Sequence, residues 1–377
     1  MKEFNEFISD VEVASPGRIN LIGEHIDYNG GHVLPASIDK KIVFKFRKRN
    51  DHKISIKSGA YESIYVSDLM HLENKSVSWH SYLTGVLYYF KEICPENLSG
   101  FDCIFVSEIP IGSGVSSSAA LECGFAKGLK ELFNLKISDE EITLICQKAE
   151  HNFVGTKCGI MDQYAVINGK ANHFLLLDCQ TIKYSLIPAN LDGYQLVLLN
   201  TNVSHNLSTS EYNKRTQECK SALEKINIIY PEYQFLCDVP AEVIKNYKNQ
   251  LLVNEYKRAL YVSEENERTI KAAKYLMEGE ISELGKLLYS SHQGLRDLYK
   301  VSCKELDFLV DFTLGLSQVV GARMMGGGFG GCTINLIKGN KIPEIVSIIK
   351  KNYKSNFGIN LKAIIAKPGS GIKVVKI

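Results

Sequence analysis

Asp162 lies in the run KCGIMDQY, twelve residues after Glu150, and two carboxylates at such a distance can divide the labour of a group transfer. One can hold Mg²⁺ while the other accepts the proton of an attacking hydroxyl, a pairing that phosphoryl transfer repeatedly needs. A second run, IPIGSGVSSSAALE over 109–122, supplies Gly112 and Gly114 for close backbone approach, then the hydroxyls of Ser116, Ser117 and Ser118. A helix follows it, and the unpaired N–H groups and positive dipole end of a helix's first turn favour a phosphate, while a serine hydroxyl suits a metal ion. No Gly-Lys-Ser/Thr follows, so this is not a Walker A loop, and a loop that merely caps its helix is the plainer alternative.

Two further segments carry polar groups in tight order. PGRINLIGEHIDYNGG, 16–31, crowds Arg18, Glu24, His25 and Asp27 into ten residues between glycine turns. Glu24 and His25 are adjacent and would point apart on any regular element, which disfavours a metal cage. Carboxylates that accept from vicinal hydroxyls, with an imidazole that donates or accepts, suit a sugar better; a solvated polar loop is the alternative. Arg18 would be a fixed cation favouring ionised Asp162 and placed to stabilise developing charge. The cluster Gly326-Gly-Gly-Phe-Gly-Gly331 satisfies G-x-G-x-x-G, but a helical stretch precedes it and the strand-like CTINLI follows. A dinucleotide fingerprint needs the reverse flanks, so a turned glycine loop closing over a ligand fits better.

The elements that must position these groups are partly legible. Leu121, Phe125, Leu129 and Leu132 form one stripe on a helix after Ser118. Ser138-Asp-Glu-Glu141 is a capping box, with Ile137 and Ile142 as its hydrophobic staple, and the helix it opens would end near Glu150. Residues 41–57 alternate around RKRND and predict a strand pair; further strands are expected over 101–107, 172–178, 194–199 and 332–337, with a terminal pair of strands. Helices are expected over 211–224, 256–277, 281–290 and 344–353. The class is α+β, with elements grouped rather than alternating.

The 377 residues suffice for two domains, and no repeat or Pro/Ser-rich linker separates them, so they should meet through an intimate interface. With 44 Lys plus Arg against 42 Asp plus Glu, no global field exists to hold nucleic acid or an anionic membrane. The N-terminal MKEFNEFISDVEV lacks the apolar run of a secretory signal, and no apolar stretch reaches membrane-spanning length, so a cytoplasmic protein is expected. None of the ten cysteines has zinc-knuckle or thiol-redox spacing, and reduced thiols are expected.

Taken together the segments resemble the galactokinases of the GHMP small-molecule kinase family. GRINLIGEHIDYN is similar to that family's sugar-binding segment, IPIGSGVSSSAALE to its phosphate loop and MMGGGFGGC to its C-terminal glycine motif, with CGIMDQ and SEYNKR between. The resemblance implies a two-domain fold, N-terminal over 1–180 and C-terminal over 181–377, with the active site in the cleft. It implies Asp162 as catalytic base with Arg18 as partner, and sugar contacts at Glu24, His25, Asp27, Gly159 and Tyr212. Phosphates would lie on Gly112, Ser113, Gly114, Val115, Ser116, Ser117 and Ser118, with Mg²⁺ on Ser118 and Glu150. Trp79 and Tyr82, from WHSYLTGV, would flank the adenine of ATP, with Ser58 nearby. The expected reaction converts ATP and α-D-galactose to galactose 1-phosphate and ADP, in a monomer. Ile26 and Met325 stand where the family usually has threonine; Ile26 adjoins sugar contacts and bears on epimer or substituent preference. Kinases of N-acetylgalactosamine, galacturonate or arabinose, and a sugar sensor without turnover, are the rival expectations.

Overall fold

The structure, a computed structural model, describes residues 2–59, 64–72, 77–109, 114–204 and 208–377, the side chains of Lys2, Ser204 and Ser208 excepted. Gly112 and Ser113 of the predicted phosphate loop therefore lie outside the described residues.

Alternating apolar residues build the first sheet, whose six strands run in the order Lys373–Lys376, Val11–Asn20, Pro35–Lys48, Phe101–Ser107, Lys53–Ser58 and Ile64–Asp68. Phe44, Phe46, Ile54 and Ile56 point inward, as the period of two predicts. The two strands read within 41–57 both exist, but they do not pair with each other. Phe101–Ser107 inserts between them, antiparallel to one and parallel to the other. Alternation tells which face is buried and is silent about neighbours; the central place goes to a strand with Phe101, Cys103, Ile104 and Phe105 all buried.

The helix Ser117–Leu132 packs across this sheet with its predicted stripe buried, and it takes in Ser117 and Ser118, which the sequence places ahead of it. Gly128 lets it come close: a Cβ there would sit 2.1 Å from Phe46 Cε2. The helix Asp139–Ala149 opens on the predicted capping box, Ser138 Oγ accepting from Glu141 N at 3.1 Å and Glu141 Oε2 accepting from Ser138 N at 2.7 Å. It runs into a wider turn, Glu150–Val154, that sets Glu150 at its end.

The second sheet orders Val319–Met325, Gly330–Lys338, Tyr194–Ser204 and Lys362–Ala366, all antiparallel, with the helices Ile281–Gly294, Lys304–Leu314 and Ile342–Phe357 around it. A small third sheet joins His32–Val33, His173–Asp178 and Lys183–Pro188. The terminal strands are not partners: Lys362–Ala366 stays in the second sheet, whereas Lys373–Lys376 returns to the first and pairs with Val11–Ala14. One hydrophobic core contains Ile19, Phe44 and Phe125 together with Leu196, Leu284 and Ile334, so the two halves share an interior, as the absence of a linker predicts. No helix among the described residues is long and apolar enough to cross a membrane.

Candidate active site

Arg18 lies just past an irregularity in the strand Val11–Asn20, and its guanidinium spans two segments far away in the chain. Its Nε and Nη2 donate to Asp162 Oδ1 and Oδ2 at 2.7 and 2.8 Å, and its Nη1 donates to the Gly114 carbonyl at 2.6 Å. A bidentate pair of this kind has fixed geometry as well as charge. Burial opposes the Arg18 charge, but Asp162, Glu24 and Asp27 outweigh it and push the pKa up, so Arg18 stays cationic. The backbone N–H of Arg18 also donates to Val115 O at 3.0 Å. Ser116 holds a left-handed conformation at φ 52°, ahead of the helix, and its hydroxyl donates to Asp162 Oδ2. The Ser116 side chain thus addresses the Asp162 carboxylate, while Ser117 and Ser118 form the helix's first turn.

Arg18 and Asp162 open onto a cavity of about 270 Å³, also lined by Glu24, His25, Asp27, Ser118, Glu150, Gly159, Tyr212 and Gly326 to Phe329. Every predicted sugar contact is therefore on one wall or another of a single cavity, but their chemistry differs from the expectation in two places. His25, at φ 64°, donates from Nε2 to Gly327 O at 3.1 Å and accepts at Nδ1 from the Tyr28 hydroxyl at 2.8 Å. Burial pushes its pKa down to about 3, so it is neutral, and both ring nitrogens are used within the protein. It offers the cavity its ring, which packs against Tyr212 at a centroid distance of 5.0 Å. One oxygen of Glu24 is taken up within the protein: its Oε1 accepts from Arg323 Nη2 at 3.1 Å and from Gly326 N at 2.8 Å.

Asp27 lines the same cavity, its carboxylate also accepting from the backbone N–H groups of Tyr28 and of Asp27 itself. Burial, with Asp162 close by, pushes its pKa up to about 7. Gly159 is required beside it, because a Cβ at 159 would fall 2.1 Å from Asp27 Oδ2. Ile26, by contrast, is wholly buried with Val33 and Leu236 and is absent from the cavity wall. Met325 is likewise buried, behind the glycine turn.

Ser118 also lines a second cavity of about 300 Å³, with Ser58, Trp79, Tyr82, Phe105 and Leu121. The three residues assigned to adenine thus converge, although Ser58 ends the strand Lys53–Ser58 and the aromatics lie on the helix Trp79–Ile93. An aromatic, mostly apolar hollow on one side of Ser118 and a polar one on the other is the arrangement a nucleotide and its acceptor need. Glu150, buried, is bonded to the Ser118 side chain and accepts at Oε2 from Cys158 Sγ at 2.9 Å and Gln163 Nε2 at 3.3 Å. Sequence reading missed Cys158, Gln163, the Ser116 bond and Arg323, all of which lie inside or beside the motifs quoted for other residues.

The cleft geometry and the helix-borne serine loop define a GHMP-type small-molecule kinase. Residues 81–170 match the GHMP kinases N terminal domain and 272–355 the GHMP kinases C terminal; the mevalonate kinase of Methanococcus jannaschii shares the fold at a TM-score of 0.66 and 19% identity, over 96% of this chain and 99% of that one. Residues 1–48 match the galactokinase galactose-binding signature. The galactokinase of Thermotoga petrophila is 41% identical over 93% of this chain and 96% of that protein. The crystal structure of Lactococcus lactis galactokinase complexed with galactose superposes at a TM-score of 0.93 with 35% identity, over 98% of this chain and 95% of that one. The chain belongs to the galactokinase family.

Proposed function

We infer that this protein transfers the γ-phosphoryl group of ATP to the anomeric hydroxyl of α-D-galactose, giving galactose 1-phosphate and ADP. The observation that carries the reading is the convergence of Asp162, Arg18 and Ser118 at the junction of a polar and an aromatic cavity. Galactose would occupy the polar cavity, with Asp27 and the backbone beside Gly159 receiving its hydroxyls and the His25 and Tyr212 rings bounding it. Adenine would lie between Trp79, Tyr82 and Ser58, with its phosphates along Gly114 to Ser118. Asp162 would take the anomeric proton as the oxygen attacks in line, and Arg18, already bound to Asp162, would lie beside the charge that develops.

Ser118 and Glu150 are hard oxygen donors bonded to each other across the cavity wall, a donor set that fits Mg²⁺, which takes one or two carboxylates and fills its shell with phosphates and water. When bound, Mg²⁺ would neutralise the β- and γ-phosphate oxygens. A monomer as the working unit and a cytoplasmic place are proposed with this activity. The domain division is proposed at the passage from Pro188 to Tyr194, because residue 180 falls within the turn of the hairpin formed by His173–Asp178 and Lys183–Pro188.

Asp162→Asn tests the role of the base. The variant should lose phosphoryl transfer by at least about a hundredfold while calorimetry still detects galactose binding. Turnover near the wild-type rate would remove Asp162 from that role. Measuring ADP release over galactose, N-acetylgalactosamine, galacturonate and arabinose tests the sugar, with galactose expected to lead.

A further inference from the structure

Asn213 follows Tyr212 in the run SEYNKR and has no part in the phosphoryl transfer proposed for the site. Its side-chain amide is bonded at both ends to the backbone of a distant segment: Oδ1 accepts from Lys157 N at 3.0 Å and Nδ2 donates to Gly155 O at 2.8 Å. An amide offers one acceptor and one donor side by side, and here they meet an N–H and a C=O two residues apart. The segment so held runs from the turn Glu150–Val154 to the helix Met161–Asn168, and its Thr156, Cys158 and Gly159 line the polar cavity. Within its own half of the protein it is tied back to the turn: Gly155 N and Thr156 N donate to Glu150 O at 2.9 and 3.2 Å, and His151 Nε2 donates to Cys158 O at 2.7 Å. Asn213 ties it to the other half. The helix Ser208–Ile226, which lies beyond the proposed domain division, also carries Tyr212 on the cavity wall. Arg215 anchors that helix in turn, its Nε and Nη2 donating to the carbonyls of Tyr299 and Lys300 at 2.8 and 2.9 Å.

We propose that Asn213 is a positioning residue that clamps the 155–159 segment to the helix Ser208–Ile226 and so fixes the Gly159 wall of the sugar cavity relative to the Tyr212 wall. Successive residues on a helix point about 100° apart, so Tyr212 can face the cavity while Asn213 reaches the neighbouring segment. Two bonds from one planar group fix orientation as well as distance, which a single bond would not. Only an amide of this length supplies both ends: aspartate lacks the donor, serine is too short to span two backbone groups, and glutamine is one methylene longer. The base is held separately, by its bidentate pair with Arg18, so the clamp bears on how the sugar is bound rather than on how its proton is removed. That kinetic consequence rests on galactose occupying the polar cavity, as proposed above, whereas the clamp itself does not.

Amide hydrogen exchange of the ligand-free protein reads the clamp directly. In Asn213→Ala the Lys157 amide should exchange at least about tenfold faster than in wild type, with a smaller change at Gly155 and Thr156, whose amides donate to Glu150 O. An unchanged Lys157 amide overturns the proposal. Asn213 is only half-buried, so the variant keeps the core intact. Its galactose KM should rise about fivefold, with kcat and the ATP KM within about twofold of wild type. An unaltered galactose KM, with or without a lowered thermal midpoint, would leave the bonds merely structural and overturn the role. Asn213→Asp, assayed at about pH 8 where the new carboxyl is ionised, keeps an acceptor for Lys157 N but turns a second acceptor toward Gly155 O. It should lose galactose affinity as Asn213→Ala does; a wild-type KM there would overturn the two-ended clamp. If the wild-type protein failed to phosphorylate galactose, the proposed activity would fall, and Lys157 exchange would still decide the clamp.

Discussion

Asp27 and His25 sit two residues apart in one segment, yet burial drives their pKa values in opposite directions because it disfavours whichever form carries charge. The difference has a pH consequence for Asp27. Its native pKa of about 7 exceeds the ordinary 3.8, so the native protein keeps a proton that the unfolded chain gives up. Stability from this group is fully present below the lower value and is lost as pH rises toward the upper one. Unfolding midpoints of the ligand-free protein should therefore decline between about pH 4 and 7, and Asp27→Asn should flatten that slope. Identical slopes in the two proteins would show that Asp27 is not the titrating group. A carboxylate accepts sugar hydroxyls better than its acid form, so the galactose KM should fall as pH rises through about 7 in wild type and not in the variant. The types and order of these residues were visible in the sequence; that His25 has no nitrogen to spare, and that Glu24 is bonded to Arg323, were not, because both depend on partners about 270 to 300 positions away.

Among the helices and strands, the helix Met161–Asn168 carries Asp162 in its first turn, and Gly159 just before it lies against Asp27. Gly159 matters here through the space it leaves rather than through a bond of its own side chain. Gly159→Ala would force Asp27 aside, and the expected result is a galactose KM raised about tenfold or more, with a smaller change in kcat and little change in thermal midpoint. Steady-state kinetics at saturating ATP would check it; an unaltered KM would mean that Asp27 has room to move. The capping box at Ser138 and the Leu121 to Leu132 stripe were legible because they involve residues within a few turns, whereas the helices Trp79–Ile93, Met161–Asn168 and Lys304–Leu314 were not expected. Strand pairing was read less well. The insertion of Phe101–Ser107 between two strands that looked like one hairpin involves partners about 50 residues away.

The two halves of the protein are held closed across the cleft by Arg323. Its Nε and Nη2 donate to the carbonyls of Leu21 and Asn20 at 2.7 and 2.5 Å, while Glu24 receives the charge. Arg323 comes from the second sheet and its partners from the segment that leaves the first, so the cavity wall formed by Glu24 and Gly326 needs both halves in place. Arg323→Met should leave the Glu24 charge buried and unpaired, destabilising the protein by about 3–5 kcal/mol, measured by urea unfolding. A loss under about 1 kcal/mol would show that the pin is dispensable. The return of Lys373–Lys376 to the first sheet ties the halves together a second time. The candidate site residues, the helix after the serine loop and the family resemblance could be had from the sequence, because they reside in residue types and short spacings; the helices Trp79–Ile93 and Met161–Asn168, which carry Trp79, Tyr82 and Asp162, were not read there. Which of those groups remain free to meet a ligand was settled by the folded chain alone, since a side chain's hydrogen-bond capacity is finite and its claimants arrive from distant parts of the sequence.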